Sequence, residues 1–126
     1  MSKRVIATDQ APSAIGPYSQ AIATNNLLFI SGQLPINPVD GKMIDGTIAE
    51  KTRQILENIR AIAREAGASL ENIVKTTIFL TDLSDFQAVN EAYGEFFPKA
   101  PPARSTIQVA ALPLGSDIEI ESILSL

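Results

Sequence analysis

Apolar and polar positions along the chain change period several times, and each change predicts an element. Arg4 to Ala7 is a short apolar-containing stretch suited to an edge strand, and Thr8 to Pro17 is rich in turn formers. Gln20 to Ala23 and Leu27 to Ser31 flank Asn25-Asn26, a pair that tolerates the left-handed backbone of a tight hairpin. Pro38 to Gly46, with Asp40-Gly41, reads as a surface loop. Thr47-Ile48-Ala49-Glu50 has the spacing of a capping box, Ile48, Ile55, Ile59, Ile62 and Ala66 recur on one helical face, and Gly67 is placed to end the helix. Ile73 to Thr81 is β-branched and apolar, a strand with Val74, Thr76, Ile78 and Leu80 on one side. Ser84-Asp85-Phe86-Gln87 offers a second cap, and Phe86, Val89, Tyr93, Phe96 and Phe97 a second apolar stripe ending at Pro98.

Pro101-Pro102 biases the entry to Ala103-Arg104-Ser105-Thr106-Ile107 towards extended backbone. In the last segment Ile118 and Ile120 alternate with Glu119 and Glu121, so a period of two sets both carboxylates on one face, roughly 6.6 Å apart. The segments carrying Arg104 and Glu119 are expected to be neighbouring strands. The order strand, strand, helix, strand, helix, strand, strand predicts an α+β domain over residues 1–126, with two helices on one face of a mixed sheet and right-handed crossovers. The other face keeps apolar side chains with no third layer to cover them, which predicts self-association with closed symmetry.

Composition narrows the chemistry. With 126 residues and 45% apolar content the chain is sized for one core. No apolar run approaches about 18 residues and no basic-plus-apolar leader with a cleavage site is visible, so a cytoplasmic protein is expected. Cysteine and histidine are both absent. That excludes disulfides, a thiolate nucleophile, a Cys/His zinc site and a Ser-His-Asp triad, and leaves Arg, Lys, Glu, Asp, Tyr, hydroxyls, backbone groups and bound water. A formal charge of −4 opposes a nucleic-acid surface, which needs basic residues to displace phosphate counterions.

Several residues remain as candidates. Arg104 fits either a carboxylate ligand or an ion pair with a strand glutamate across the interface between associated copies. Gly32 breaks an apolar strand, as a bulge or as a place where a ligand reaches backbone N–H groups. Tyr18 is presented from the stiff Gly16-Pro17 corner; from the residues alone, packing at a strand end is the favoured role. Asp82 and Asp85 lack the further oxygen ligands of a cation site, and Asp85 is read as favouring a helix N-terminus.

Taken together, Ile15-Gly16-Pro17-Tyr18-Ser19-Gln20, Ser31-Gly32-Gln33, Val74-Lys75-Thr76-Thr77, Asp85-Phe86 with Val89-Asn90, Pro102-Ala103-Arg104-Ser105, Ala111-Leu112-Pro113 and Ile118-Glu119-Ile120-Glu121 resemble, in order and spacing, the reactive intermediate deaminase (RidA/YjgF) family. The resemblance implies a homotrimer of chorismate-mutase-like subunits with sites between them. It also implies hydrolysis of 2-iminobutanoate and 2-iminopropanoate to 2-oxoacids and ammonia, with no cofactor and no metal. On matching positions it makes Arg104 the carboxylate-binding residue, with the Gly32 N–H as a further donor, and Glu119 the residue that holds the attacking water. It gives the Thr106 carbonyl an acceptor role towards the imine nitrogen and lines the cleft with Tyr18, Ser31 and Phe86. Many members carry cysteine where this chain has Thr106, so any role needing that thiol is lost here. A small-carboxylate-binding module read by a protein partner, and an endoribonuclease, are the alternative functions.

Overall fold

The computed structural model describes residues 2–126. Strands β1 (Arg4–Ile6), β2 (Ala21–Thr24) and β3 (Leu27–Gln33) form an antiparallel meander, and Asn25 turns the β2–β3 hairpin with φ of 53°. Both the edge strand and the hairpin follow the sequence expectation. The expected loop over 38–46 carries structure of its own: β4 (Ile36–Asn37) pairs with β5 (Lys42–Met43) through a turn in which Gly41 has φ of 72°.

Helix α1 (Ile48–Glu65) starts at the expected box. The Glu50 N–H donates to Thr47 Oγ1 at 3.2 Å while the Thr47 N–H donates to Glu50 Oε1 at 3.0 Å, which satisfies donors the first turn cannot. Gly67 closes it with φ of 79°. The apolar face is buried through Ile55, Leu56, Ile59 and Ile62, each worth about 2 kcal/mol of transfer free energy. Opposite them stand Leu28, Ile30, Ile78, Leu80, Ile118, Ile120 and Leu124 of the sheet.

Helix α2 (Phe86–Gly94) is entered differently from expectation. Ser84 is not its cap: Asp82 accepts from the Ser84 N–H at 2.9 Å and starts a 3-10 turn over Leu83–Asp85, while Asp85 stands at the helix start with no capping bond. Asp82 wins because its short carboxylate reaches the N–H two residues on, an Asx turn that a serine three residues from Gln87 does not displace. Val89, Tyr93 and Phe97 of the apolar stripe are buried, whereas Phe86 is 41% exposed and leaves the core.

The remaining strands, β6 (Ile73–Leu80), β7 (Ala103–Gln108) and β8 (Ile118–Ser125), complete a six-stranded sheet in the order β1-β2-β3-β8-β6-β7. The α2 crossover returns β7 parallel to β6, and β8 inserts antiparallel between β3 and β6. The strands of Arg104 and Glu119 are therefore not neighbours; β6 separates them. Burial decides the order. Strand β8 offers Ile118, Ile120, Ser122 and Leu124 to the helices, all buried, and so belongs in the centre. Strand β7 offers Arg104 and Gln108, and so belongs at an edge. On β6 a register shift between Ile73 and Lys75 turns Val74 out of its expected row, leaving it 47% exposed, while Thr76, Ile78 and Leu80 stay buried under the helices.

Candidate active site

Glu119 is built into place by two irregularities. Its strand alternates, so with Ile118 and Ile120 committed to the core, Glu119 and Glu121 point to the face away from the helices. Beside it β3 bulges: Ile30 pairs with Ser122 and Gln33 with Ile120, so Ser31 and Gly32 occupy a space that one residue fills on β8. Gly32 thus lies in a bulge, as its sequence position allowed, and the group that approaches it closely is the Glu119 side chain. A Cβ there would lie 2.8 Å from the Glu119 carboxyl carbon, and only glycine leaves that space to the carboxylate. Ser31 ties the bulge down, its N–H donating to Gln20 O at 3.0 Å and its hydroxyl to Ser19 O at 2.6 Å.

These residues line a cleft of about 430 Å³ that also takes in Tyr18, Ile15, Leu34 and Pro113, with Glu121 at its edge. Half-buried Glu119 has its pKa raised above the usual carboxylate range, chiefly by desolvation and secondarily by the charge of Glu121. A carboxylate so shifted is a stronger base once ionised. Tyr18 is not a packing residue: it is 47% exposed at the cleft, its N–H donates to Gly16 O at 2.8 Å and its hydroxyl accepts from the Ile15 N–H at 3.2 Å.

Arg104 lies elsewhere. It pairs in register with Thr76, whose buried hydroxyl is 2.7 Å from the Tyr93 hydroxyl, and its guanidinium carbon sits 5.0 Å from the Tyr93 ring centre and 5.6 Å from that of Phe86. Arg104 is therefore on the helix side of the sheet, at the free edge of β7, and Glu119 is on the opposite side. Among the described residues no carboxylate pairs with Arg104; two ring faces hold it instead, and its N–H fork stays free for a planar anion. Both roles expected from the sequence, holding a carboxylate ligand and pairing with a glutamate across a subunit interface, are open to a guanidinium placed this way. Thr106 follows on the same side, its hydroxyl buried without a partner, as is the Asn90 Oδ1 of α2.

The candidates thus fall into two groups, Tyr18, Ser31, Gly32 and Glu119 in the cleft, and Phe86, Arg104 and Thr106 along the β7 edge. Tyr93 as a support for Arg104 was not legible in the sequence, since its helical spacing assigns it to the core, where it also belongs. Among the described residues no group of three Asp or Glu is arranged to hold a metal ion.

A fold with two helices on one face of a mixed sheet, an edge arginine on aromatic rings and a cleft carboxylate against a glycine bulge defines a class that comparison with known proteins names. Residues 8–125 match the family described as Endoribonuclease L-PSP. The chain is 51% identical to Reactive Intermediate Deaminase A, chloroplastic, of Arabidopsis thaliana, over all of this chain and 67% of that one. It is 48% identical to the human 2-iminobutanoate/2-iminopropanoate deaminase, over 96% of this chain and 88% of that one. The crystal structure of RidA from an Antarctic Psychrobacter superposes with a TM-score of 0.94 at 46% identity, covering 98% of this chain and 99% of that one. The chain belongs to this RidA/YjgF family.

Proposed function

We propose that the protein is a cofactor-independent deaminase that hydrolyses 2-iminobutanoate and 2-iminopropanoate, and that it works as a closed homotrimer. The observation that carries the reading is the placement of Arg104 and Glu119 on opposite faces of one sheet. A site using both needs the β7 edge of one copy set against the cleft of the next, and repeated head to tail such contacts close into a ring. The open sheet face supplies the association surface: Val5, Ile22, Phe29, Ile123 and Lys75 follow one another across it in register, with Val5 63% and Phe29 41% exposed.

In the joined site the Arg104 guanidinium grips the substrate carboxylate through two charge-assisted hydrogen bonds, and the Gly32 N–H adds a donor. Glu119 of the facing copy holds a water, accepts its proton as the oxygen bonds to the imine carbon, and returns that proton to nitrogen. As the resulting carbinolamine collapses, its hydroxyl proton passes to Glu119, the C–N bond breaks to release ammonia and the 2-oxoacid, and the proton leaves with the ammonia as ammonium. The Thr106 carbonyl accepts from the protonated imine nitrogen. Tyr18, Ser31 and Phe86 enclose the aliphatic chain. The relatives named as deaminases at about half identity support this reading. An endoribonuclease is disfavoured because Glu119 and Glu121 would meet a polyanion with two carboxylates, on a chain of net charge −4.

The test couples a threonine dehydratase, which generates 2-iminobutanoate, to this protein and follows 2-oxobutanoate. Wild type accelerates its appearance, while Arg104→Ala and Glu119→Gln match the blank. If wild type matches the blank yet binds 2-oxobutanoate, the protein is a small-carboxylate-binding module acting through a partner, and the deaminase reading is discarded.

A further inference from the structure

The outer wall of the cleft is a segment with no regular structure, and one buried amide carries it. Gln20 is only 5% exposed. Its Oε1 accepts from the Thr8 N–H at 2.7 Å, and its Nε2 donates to Pro12 O at 2.7 Å, Thr8 O at 3.0 Å and Ala11 O at 3.3 Å. The amide thus stands in for a strand partner along residues 8–12, and satisfies backbone groups that are buried at Ala11 and part-buried at Thr8 and Pro12. At its other end the segment is tied through Ser19 O and Gln20 O to Ser31, beside the Gly32 bulge. Between these anchors, the hydrogen bonds formed by residues 13–17 stay within the corner, from Ile15 N–H to the Tyr18 hydroxyl and from Tyr18 N–H to Gly16 O. The candidate site lies on the inner side of this corner and an open surface depression on the outer side, and both touch Ser13, Tyr18 and Gln20. Space exists for the corner to move either way.

We propose that Gln20 is a positioning residue, the latch that holds the Thr8–Tyr18 wall in its closed place and thereby sets how tightly the cleft retains its ligand. The consequence for turnover rests on the deaminase reading; the latch itself does not. Gln20 touches no reacting atom in that reading, so its loss acts on KM and leaves kcat nearly alone.

The experiment compares wild type, Gln20→Met, which keeps the volume but no hydrogen bonds, and Gln20→Glu, which keeps the acceptor for Thr8 and turns a carboxylate towards three carbonyls. Amide hydrogen exchange at Ile15 and Tyr18, which Gln20 does not itself bond, is read against Ile78 and Ile120 of the sheet. With hydrogen bonds worth roughly 1 kcal/mol each, the loss of even two of them in Gln20→Met speeds exchange at the corner by at least about tenfold and leaves the sheet unchanged. The same variant weakens 2-oxobutanoate binding about fivefold or more and raises KM alike, with kcat within about twofold. In Gln20→Glu the binding defect relative to wild type is small at pH 5, where a protonated carboxyl can donate, and grows by pH 8; this arm decides the matter even if Gln20→Met does not fold. Unchanged exchange at Ile15 and Tyr18, exchange accelerated equally in the sheet, or a Gln20→Glu defect independent of pH would each overturn the latch. If wild type neither binds 2-oxobutanoate nor hydrolyses the imine, the deaminase reading falls, while the exchange comparison still decides whether Gln20 holds the wall.

Discussion

Gly32 and Glu119 occupy each other's space: a Cβ on the first would stand 2.8 Å from the carboxyl carbon of the second. Gly32→Ala must therefore swing the Glu119 carboxylate away from the bulge, because Ser31 anchors the bulge to Gln20 O and Ser19 O while the carboxylate ends a flexible side chain. The expected result is a fall in kcat of at least about tenfold, about 1.4 kcal/mol of transition-state stabilisation, with thermal stability little changed because the clash is relieved within the cleft. Steady-state kinetics beside a melting curve separates the two; equal loss of both would place the damage in the sheet.

The opposite-face placement of Arg104 and Glu119 predicts complementation. Arg104→Ala and Glu119→Gln are each inactive alone. Unfolded together in equal amounts and refolded, they assemble rings in which about one site in four receives its arginine from one variant and its glutamate from the other. Recovery of about a quarter of wild-type activity is expected, and none if every site draws both residues from a single chain.

Tyr93 has two jobs, and they come apart. Tyr93→Phe keeps the ring under Arg104 and strips the Thr76 hydroxyl, fully buried, of its partner at 2.7 Å. Stability is expected to drop by about 1–3 kcal/mol, the cost of an orphaned buried polar group, with KM unchanged. Tyr93→Leu also removes the ring face and raises KM. Chemical denaturation at fixed protein concentration and substrate titration check the pair.

The raised pKa of Glu119 has a sign that can be worked out. Burial and the Glu121 charge favour the protonated form in the folded state, so ionisation costs stability. The protonated form's advantage is complete below the unfolded-state value and disappears as pH rises through the folded value. Glu119→Gln, permanently neutral, should therefore melt above wild type at pH 8, with the gap narrowing as pH falls towards 4. The same charge argument predicts that Glu121→Gln lowers the Glu119 pKa and moves the acid limb of kcat/KM to lower pH. A limb that stays in place would mean Glu121 lies too far or too well solvated to act.

Wherever a local rule had no competitor, the elements were legible in the chain: the Thr47 box, the Asn25-Asn26 hairpin and the alternation that faces Glu119 away from Ile118 and Ile120. Expectation failed where two local rules competed or where pairing was at stake. Asp82 out-competed Ser84 for the turn before α2, and a bulge rotated Val74 out of a row that alternation alone would have kept.

Residue types and their order determined the helices, the strands, the absence of histidine and cysteine chemistry, and the RidA/YjgF membership, and they made Arg104 and Glu119 the candidates. Tertiary structure alone decided that β8 enters between β3 and β6, so that these two residues end on opposite faces, and that Tyr93 and Gln20 support the two halves of the candidate site. The reason is that periodicity reports which face of its own element a side chain takes. Strand order and long-range hydrogen bonds are settled by which arrangement buries the most apolar surface, a property of all the elements at once.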